Sequence, residues 1–111
     1  MHQHRSRHGT YILQADSAKV NGKEFWIQDG DDDERNAIWF DKEYNHWNIG
    51  SLEYIGTNRC GFCSANNASE LDKVTSWEYF KGDEWFPAPI NDMQIRGMYL
   101  LRQCTALIIT Y

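Results

Sequence analysis

Several absences narrow the reading before any motif is considered. No apolar run approaches the roughly 20 residues that a membrane-spanning helix needs. The N-terminal stretch MHQHRSRH lacks the apolar core of a secretory leader. Basic residues do not cluster outside Arg5 and Arg7, and 11 Lys and Arg against 16 Asp and Glu leave a net charge of −5. Nucleic-acid binding needs a concentrated basic face, so neither nucleic acid nor a membrane is expected as a partner. Cysteine is scarce and odd in number, with three residues, which excludes a closed disulfide framework. That favours a reducing, cytoplasmic setting, although a domain excised from a longer secreted protein would carry the same count. There is no Gly-rich phosphate loop, nucleophile elbow or metalloprotease helix, and an enzyme is not expected.

What is present in quantity is aromatic. Five Trp, six Tyr and five Phe stand in a chain of 111 residues whose mean hydropathy is only −0.69. Each buried ring removes about 150–250 Å² from water, at about 25 cal/mol per Å². A few large anchors must therefore stabilise one domain that buries roughly two-thirds of its unfolded surface. Rings fit a pleated, half-buried surface better than a helix interior. The fold class read from this is all-β, a small antiparallel meander, roll or barrel of hairpins. At most one short helical turn is expected near residues 69–74.

Along the chain, residues 1–9 carry His2, His4 and His8 with two arginines and, after Met1, no apolar side chain. Divalent-metal chelation is one reading of the histidines, and a disordered tail is the preferred one. The domain is placed at 10–111. Tyr11-Ile12-Leu13 opens a β-prone run reaching Val20, with an irregularity at Asp16-Ser17. Asn21-Gly22 then reads as a type I′ hairpin turn, since both central positions need positive φ. Glu24 to Gln28 is the return strand. Asp29 to Glu34 places five acids in six residues, a self-repelling solvated loop without the alternating spacing of a calcium-binding EF-hand. Ser69 to Lys73 suggests one helical turn capped by Ser69. Pro87 and Pro89 end a hairpin. Residues 93–111 read as one or two strands. The uncharged stretch from Thr105 to Tyr111 must be buried, or paired with a second copy of the chain in a homodimer.

Two tryptophan pairs, Trp39/Trp47 and Trp77/Trp85, are each eight residues apart. Direct opposition at even separation requires an odd loop. A three-residue loop Phe80-Lys81-Gly82, with Gly82 left-handed, would set Trp77 opposite Trp85. The first hairpin can be drawn alike, with Tyr44 or Asn45 taking the unusual backbone angle. Neighbouring strand residues face opposite ways, so Ile38 and Phe40 cannot share a face with Trp39. A second layer covers one side of that strand, or that side is a site.

Cys60-Gly61-Phe62-Cys63 is the motif with intrinsic chemistry. Two thiolates at that spacing reach one tetrahedral zinc ion, for which Cys104 and His46 are the other candidate ligands. A thioredoxin-like redox pair is a second reading, but the βαβ context it requires is absent. Two structural cysteines, or a local disulfide if the chain is secreted, is the preferred one. Asn67-Ala68-Ser69 is a glycosylation sequon, meaningful only in a secreted protein. His46 would need an orienting carboxylate and a nucleophile to act as a general base. Neither is identifiable, so it reads as a strand-edge polar residue.

The ordered series of Asn21-Gly22-Lys23, Trp26, Ile38-Trp39-Phe40, Trp47-Asn48-Ile49-Gly50, Ser64, Trp77-Glu78-Tyr79, Gly82 and Trp85 resembles a short tryptophan-rich β module. Such modules occur repeated, or fused to ankyrin, kinase or other domains, in proteins of protists, algae and marine invertebrates. The resemblance spans about 19–96 and departs from the pattern in the cysteine pair, the acidic loop and the segment from Gly97. It implies an accessory interaction module with no catalytic residues to carry over. The expectation is a non-catalytic module binding a protein, peptide or glycan through exposed aromatics, drawn from Trp39, Trp47, Trp77, Trp85 and Tyr44. Most of these rings are expected in the core and one or two exposed. The alternatives are a small zinc domain and a purely structural, self-associating one.

Overall fold

The computed structural model describes residues 6–14, 19–66, 68–87, 94–100 and 103–110. They form nine strands: β1 (Gly9–Leu13), β2 (Trp26–Gln28), β3 (Asn36–Asp41), β4 (His46–Ser51), β5 (Phe62–Ser64), β6 (Trp77–Lys81), β7 (Glu84–Pro87), β8 (Gln94–Leu100) and β9 (Gln103–Thr110). All lie in one antiparallel sheet of order β7-β6-β5-β4-β3-β2-β1-β9-β8. The all-β reading holds. Every neighbouring pair is consecutive in sequence except β1 and β9, so the architecture is a meander whose last hairpin folds back beside its first strand. Two single 3-10 turns interrupt it. Leu71–Lys73 lies where a helical turn was expected, but its cap is Glu70 without a side-chain hydrogen bond rather than Ser69. Leu52–Tyr54 is an addition.

The Asn21-Gly22 turn forms as its chemistry dictates, with φ of 54° and 83°. Val20 and Lys23 exchange both backbone hydrogen bonds, at 2.9 and 3.1 Å. The Asn21 amide also donates to the Phe40 carbonyl at 2.8 Å, tying the turn to β3. The acidic stretch is an exposed loop, closed by Arg35, which donates to the carbonyls of Asp32 and Gly30. Asn67 of the sequon and Pro89 lie outside the described residues.

The register of the two tryptophan hairpins differs from the expected one. Trp47 opposes Phe40, and Trp39 opposes Asn48. Trp85 opposes Phe80, while Trp77 lies beyond the reach of β7. Both loops are even. In the first, Asp41 pairs with His46 across the four residues 42–45. The Asp41 carboxylate accepts the Glu43 and Tyr44 amides at 2.9 and 3.3 Å, and Asn45 takes φ 57°. In the second, Lys81 pairs with Glu84 across Gly82-Asp83. Gly82 is left-handed at φ 66° as expected, but as the first residue of a two-residue turn, the placement of a type II′ hairpin. Turn chemistry overrode ring matching.

Register decides which face each ring occupies. One face carries Tyr11, Trp26, Ile38, Phe40, Trp47, Ile49, Trp77 and Ile109, which form the buried core. Segment 65–76 folds over that face. Its Leu71 and Val74 pack on the cluster, the Trp47 indole donates to the Ala68 carbonyl at 3.1 Å, and Asn66 clips Lys73 and Thr75. The opposite face has a second cover over β3 and β4. Trp39, fully buried there, donates its indole N–H to the Thr57 carbonyl at 2.9 Å. A Cβ on Gly50 would sit 2.9 Å from the Cys60 Cα, so the loop after Tyr54 lies directly on the strand. Of the two outcomes posed for the Trp39 side, it is the second layer that exists.

Thr105 to Thr110 sits inside the sheet, with β9 paired to β1 on one edge and β8 on the other. Neither edge of the strand is left open for a second copy. The N-terminal boundary moves outward from residue 10. Gly9 belongs to β1, and the buried Gln28 amide donates to the carbonyls of Ser6 and His8 at 2.8 and 2.7 Å. Asn36 donates to Gln28 Oε1 and to the Ser6 carbonyl, and the Tyr11 hydroxyl to the Arg7 carbonyl at 2.9 Å. Residues 6–9 are thus part of the folded unit, and a polar clamp rather than an apolar contact holds 6–8. Among the described residues no helix is long and apolar enough to cross a membrane.

Candidate functional site

Beyond the cover formed by residues 54–60, the face opposite the core stays open across β5, β6 and β7. It forms a groove of about 1210 Å³. Strand alternation places Cys63 on β5, Glu78 and Phe80 on β6 and Trp85 on β7 along its floor. One end is built by the Tyr44 and His46 rings, stacked with centroids 5.8 Å apart. The other is the Phe80–Trp85 pair, 5.3 Å apart and tilted by 52°. Phe80 and Trp85 lie at the sheet's edge, because β7 is the last strand on its side, and Tyr44 stands on the β3–β4 turn. Tyr44, Phe80 and Trp85 are 55, 47 and 40 % exposed.

Of the sequence-derived binding residues, Trp85 and Tyr44 line this groove. Trp39, Trp47 and Trp77 do not: all three are buried, the first under the 54–60 loop and the other two in the core. The sequence alone does not reveal Phe80 as the cross-strand partner of Trp85, because the ring-matched register, three residues off, puts Phe80 in the loop. Nor does it reveal Arg7, which the tail assignment removes from consideration.

The metal-ligand candidates are partly brought together. Cys60, Cys63 and His46 all line the groove, yet no set of three His, Cys, Asp or Glu converges as a metal cage among the described residues. Cys104 lies on β9, four strands from β4, and its side chain is outside the described ones. Both groove cysteines are free. Burial, then the neighbouring Cys63 and Asp41, pushes the Cys60 thiol up to about 12 against a partial lowering by Arg7. Burial, then Glu78 and Asp41, pushes Cys63 up to about 12. Thiols held protonated in this way are weak nucleophiles and reluctant ligands. His46 has its Nε2 3.6 Å from Asp41 Oδ2, but that carboxylate already serves the β3–β4 turn and accepts the Asn48 amide at 3.3 Å. No hydroxyl or thiol is hydrogen-bonded to His46 among the described residues.

Two guanidinium groups border the groove. Arg59 lies over the Tyr54 ring at 4.9 Å. Arg7 lies over the Phe62 ring at 5.9 Å and against Gly61, where an added Cβ would come within 2.5 Å of its Cζ. The Arg7 Nε is buried without a hydrogen-bond partner. Comparison of the chain with protein-family models, with curated proteins and with solved structures finds no match in any of the three.

Proposed function

We propose that this protein is a non-catalytic binding module whose ligand lies in the groove between the Tyr44–His46 stack and the Phe80–Trp85 pair. The observation that carries the reading is the sorting of the aromatics. Trp26, Trp39, Trp47 and Trp77 are buried, while Trp85, Phe80 and Tyr44 stay open along one concavity. Leaving three large rings about half exposed forgoes part of the roughly 1.5–3 kcal/mol that full burial of such a side chain is worth, and clustered exposed rings mark interaction surfaces. The chemistry of the remaining groups supports binding over turnover. The thiols are held protonated, and the His46 carboxylate partner is engaged in a turn.

Trp85 is the one described tryptophan with a solvent-facing ring, so it serves as a built-in reporter. A panel of short peptides, oligosaccharides and amphipathic small molecules is titrated while Trp85 emission and the amide signals of Cys63, Glu78 and Trp85 are followed. The proposal expects at least one class to shift these signals together, and Phe80→Ala to abolish the response without unfolding the domain. A groove whose signals stay fixed against the whole panel at millimolar concentration refutes it.

A further inference from the structure

We infer that the groove recognises an anion, and that its ligand is an extended peptide carrying a carboxylate side chain next to an apolar one. The inference rests on the binding-module reading and adds the chemistry of the ligand.

Arg7 is its basis. A guanidinium presents five N–H donors in a rigid plane, and buried donors are normally satisfied. Here the Nε is buried and unpartnered, and among the described residues the guanidinium forms no hydrogen bond or ion pair. It lies over the Phe62 ring and against Gly61. The omission is not slack in the chain. The carbonyls of Ser6, Arg7 and His8 are held by Gln28, Asn36 and Tyr11 through four hydrogen bonds of 2.7 to 3.3 Å. Three side chains of β1, β2 and β3 thus fix the backbone on both sides of Arg7 and deliver its head to the wall of the groove. A residue positioned this firmly, with its donors unused, is preorganised for a partner that arrives from outside.

The neighbourhood specifies that partner. The Phe80 amide donates to the Gly61 carbonyl at 2.9 Å, so the strand position facing Arg7 is the one that bears the Phe80 ring. An anion seated on Arg7 therefore has an aromatic notch beside it. Arg59 adds a second ring-stacked cation on the same groove. Glu78 is the only carboxylate among its described lining residues, in a chain with 16 acids and 11 bases. The described lining thus carries two guanidinium groups to one carboxylate where the whole molecule is acidic, while the buried Asp41 carboxylate still acts on its two thiols. A carboxylate matches the planar guanidinium in two parallel hydrogen bonds. A peptide fits better than an acidic glycan. Phe80 and Trp85 meet at 52°, a notch for an apolar side chain rather than a flat plate for a sugar ring. Among the described lining residues Asn58 and Glu78 alone offer side-chain amide or carboxylate groups to sugar hydroxyls.

The test uses the full chain and three probes: acetyl-Glu-Phe-Glu-Phe-amide, its Gln-Phe-Gln-Phe counterpart, and tetragalacturonate. Nitrogen–proton correlation spectra follow the backbone amides of Gly61, Phe80 and Trp85 and the side-chain Nε–Hε signal of Arg7. The acidic peptide should shift all four and bind about tenfold more tightly than the neutral one, the scale of one charge-assisted hydrogen bond. Arg7→Gln should erase that preference. Gly61→Ala, which keeps the arginine but pushes its head aside, should do the same, and covers the case in which the first variant unfolds. Equal binding of the two peptides, or a preference that survives both substitutions, overturns the anion inference while the groove stands as a binding surface. Tighter binding of tetragalacturonate overturns the peptide assignment. Silence of the groove toward these probes while members of the wider panel bind overturns the inference alone; silence toward everything overturns the module reading as well.

Discussion

Replacing Gly50 with alanine isolates one physical term. Gly50 has no positive φ, so an alanine faces no backbone strain there, and the unfolded-chain entropy favours it by about 0.4–1 kcal/mol. The added Cβ would, however, lie 2.9 Å from the Cys60 Cα, 3.3 Å from its Cβ and 3.4 Å from the Gly61 nitrogen. Carbon–carbon contacts are optimal near 3.5–4.0 Å, so a backbone segment must retreat by roughly 0.6–1 Å. Overpacking of this kind costs about 1–3 kcal/mol. The retreat also stretches the Gly61 N–H to Ile49 carbonyl hydrogen bond, now 3.0 Å, worth about 0.5–1.5 kcal/mol. The net loss is about 1–3 kcal/mol, or roughly 5–12 °C in melting temperature for a domain of this size. Melting followed by near-ultraviolet circular dichroism reads it, with urea unfolding to confirm an unchanged m-value. Gly22→Ala is the contrast: φ is 83° and nothing lies within 4 Å, so its cost is conformational alone. A Gly50→Ala protein as stable as the parent would refute the packing of the 54–60 loop on β4, and with it the wall of the groove.

Gln28→Leu should cost about 2–3 kcal/mol, because it strands the Ser6 and His8 carbonyls and the Asn36 amide; urea unfolding measures it, and a loss under 0.5 kcal/mol would remove the clamp from the account of Arg7. The two groove thiols predict an alkaline loss of stability. Their folded pKa values, raised to about 12 from 9.0, keep both protons in the folded state while the unfolded chain releases them. The stabilisation is therefore intact below about pH 9 and declines as pH rises toward about 12. The urea midpoint should fall from pH 8 to pH 10.5, and fall less in a Cys60→Ser/Cys63→Ser variant; identical slopes would contradict the shifts. Trp85→Ala should lower the melting temperature less than Trp47→Ala, since Trp85 is 40 % exposed and Trp47 3 %, yet remove ligand-induced fluorescence changes; a drop as large as that of Trp47→Ala would mean the ring is structural.

How much of this was legible in the sequence depended on where the deciding interaction lay. The Asn21-Gly22 turn, the acidic loop and the strand character of 105–110 are dictated locally, by φ preference, like-charge repulsion and β-branching. The registers were not. Trp39/Trp47 and Trp77/Trp85 suggested that like rings face each other, whereas Asp41 selects a four-residue loop by capping it and Gly82 selects a two-residue one. The displacements, one residue in the first hairpin and three in the second, are both odd and so exchanged faces, sending Trp77 into the core and Trp85 out of it. Arg7 was illegible for another reason. A polar segment with no apolar residue looks like a tail, and its anchorage depends on the burial of Gln28 and Asn36, which sequence periodicity does not reveal. Tyr44 and the cysteine pair are legible from residue type alone, but their sharing one groove with Phe80 depends on the register.

The pairing of β1 with β9 carries a consequence for how the chain folds. Strands β1 to β7 can zip together in order through connections of 2 to 12 residues, but Thr10 meets Ile108 only after nearly the whole chain is available. Closure over so long a loop is entropically slow. Until it occurs, β1 is an open edge bearing Ile12, and the uncharged 105–110 segment has only β8 to pair with, its other edge being open. The interval between synthesis of β7 and docking of β9 is thus the period of greatest exposure to aggregation. Substitutions that weaken β9 should reduce yield on refolding more than they reduce equilibrium stability.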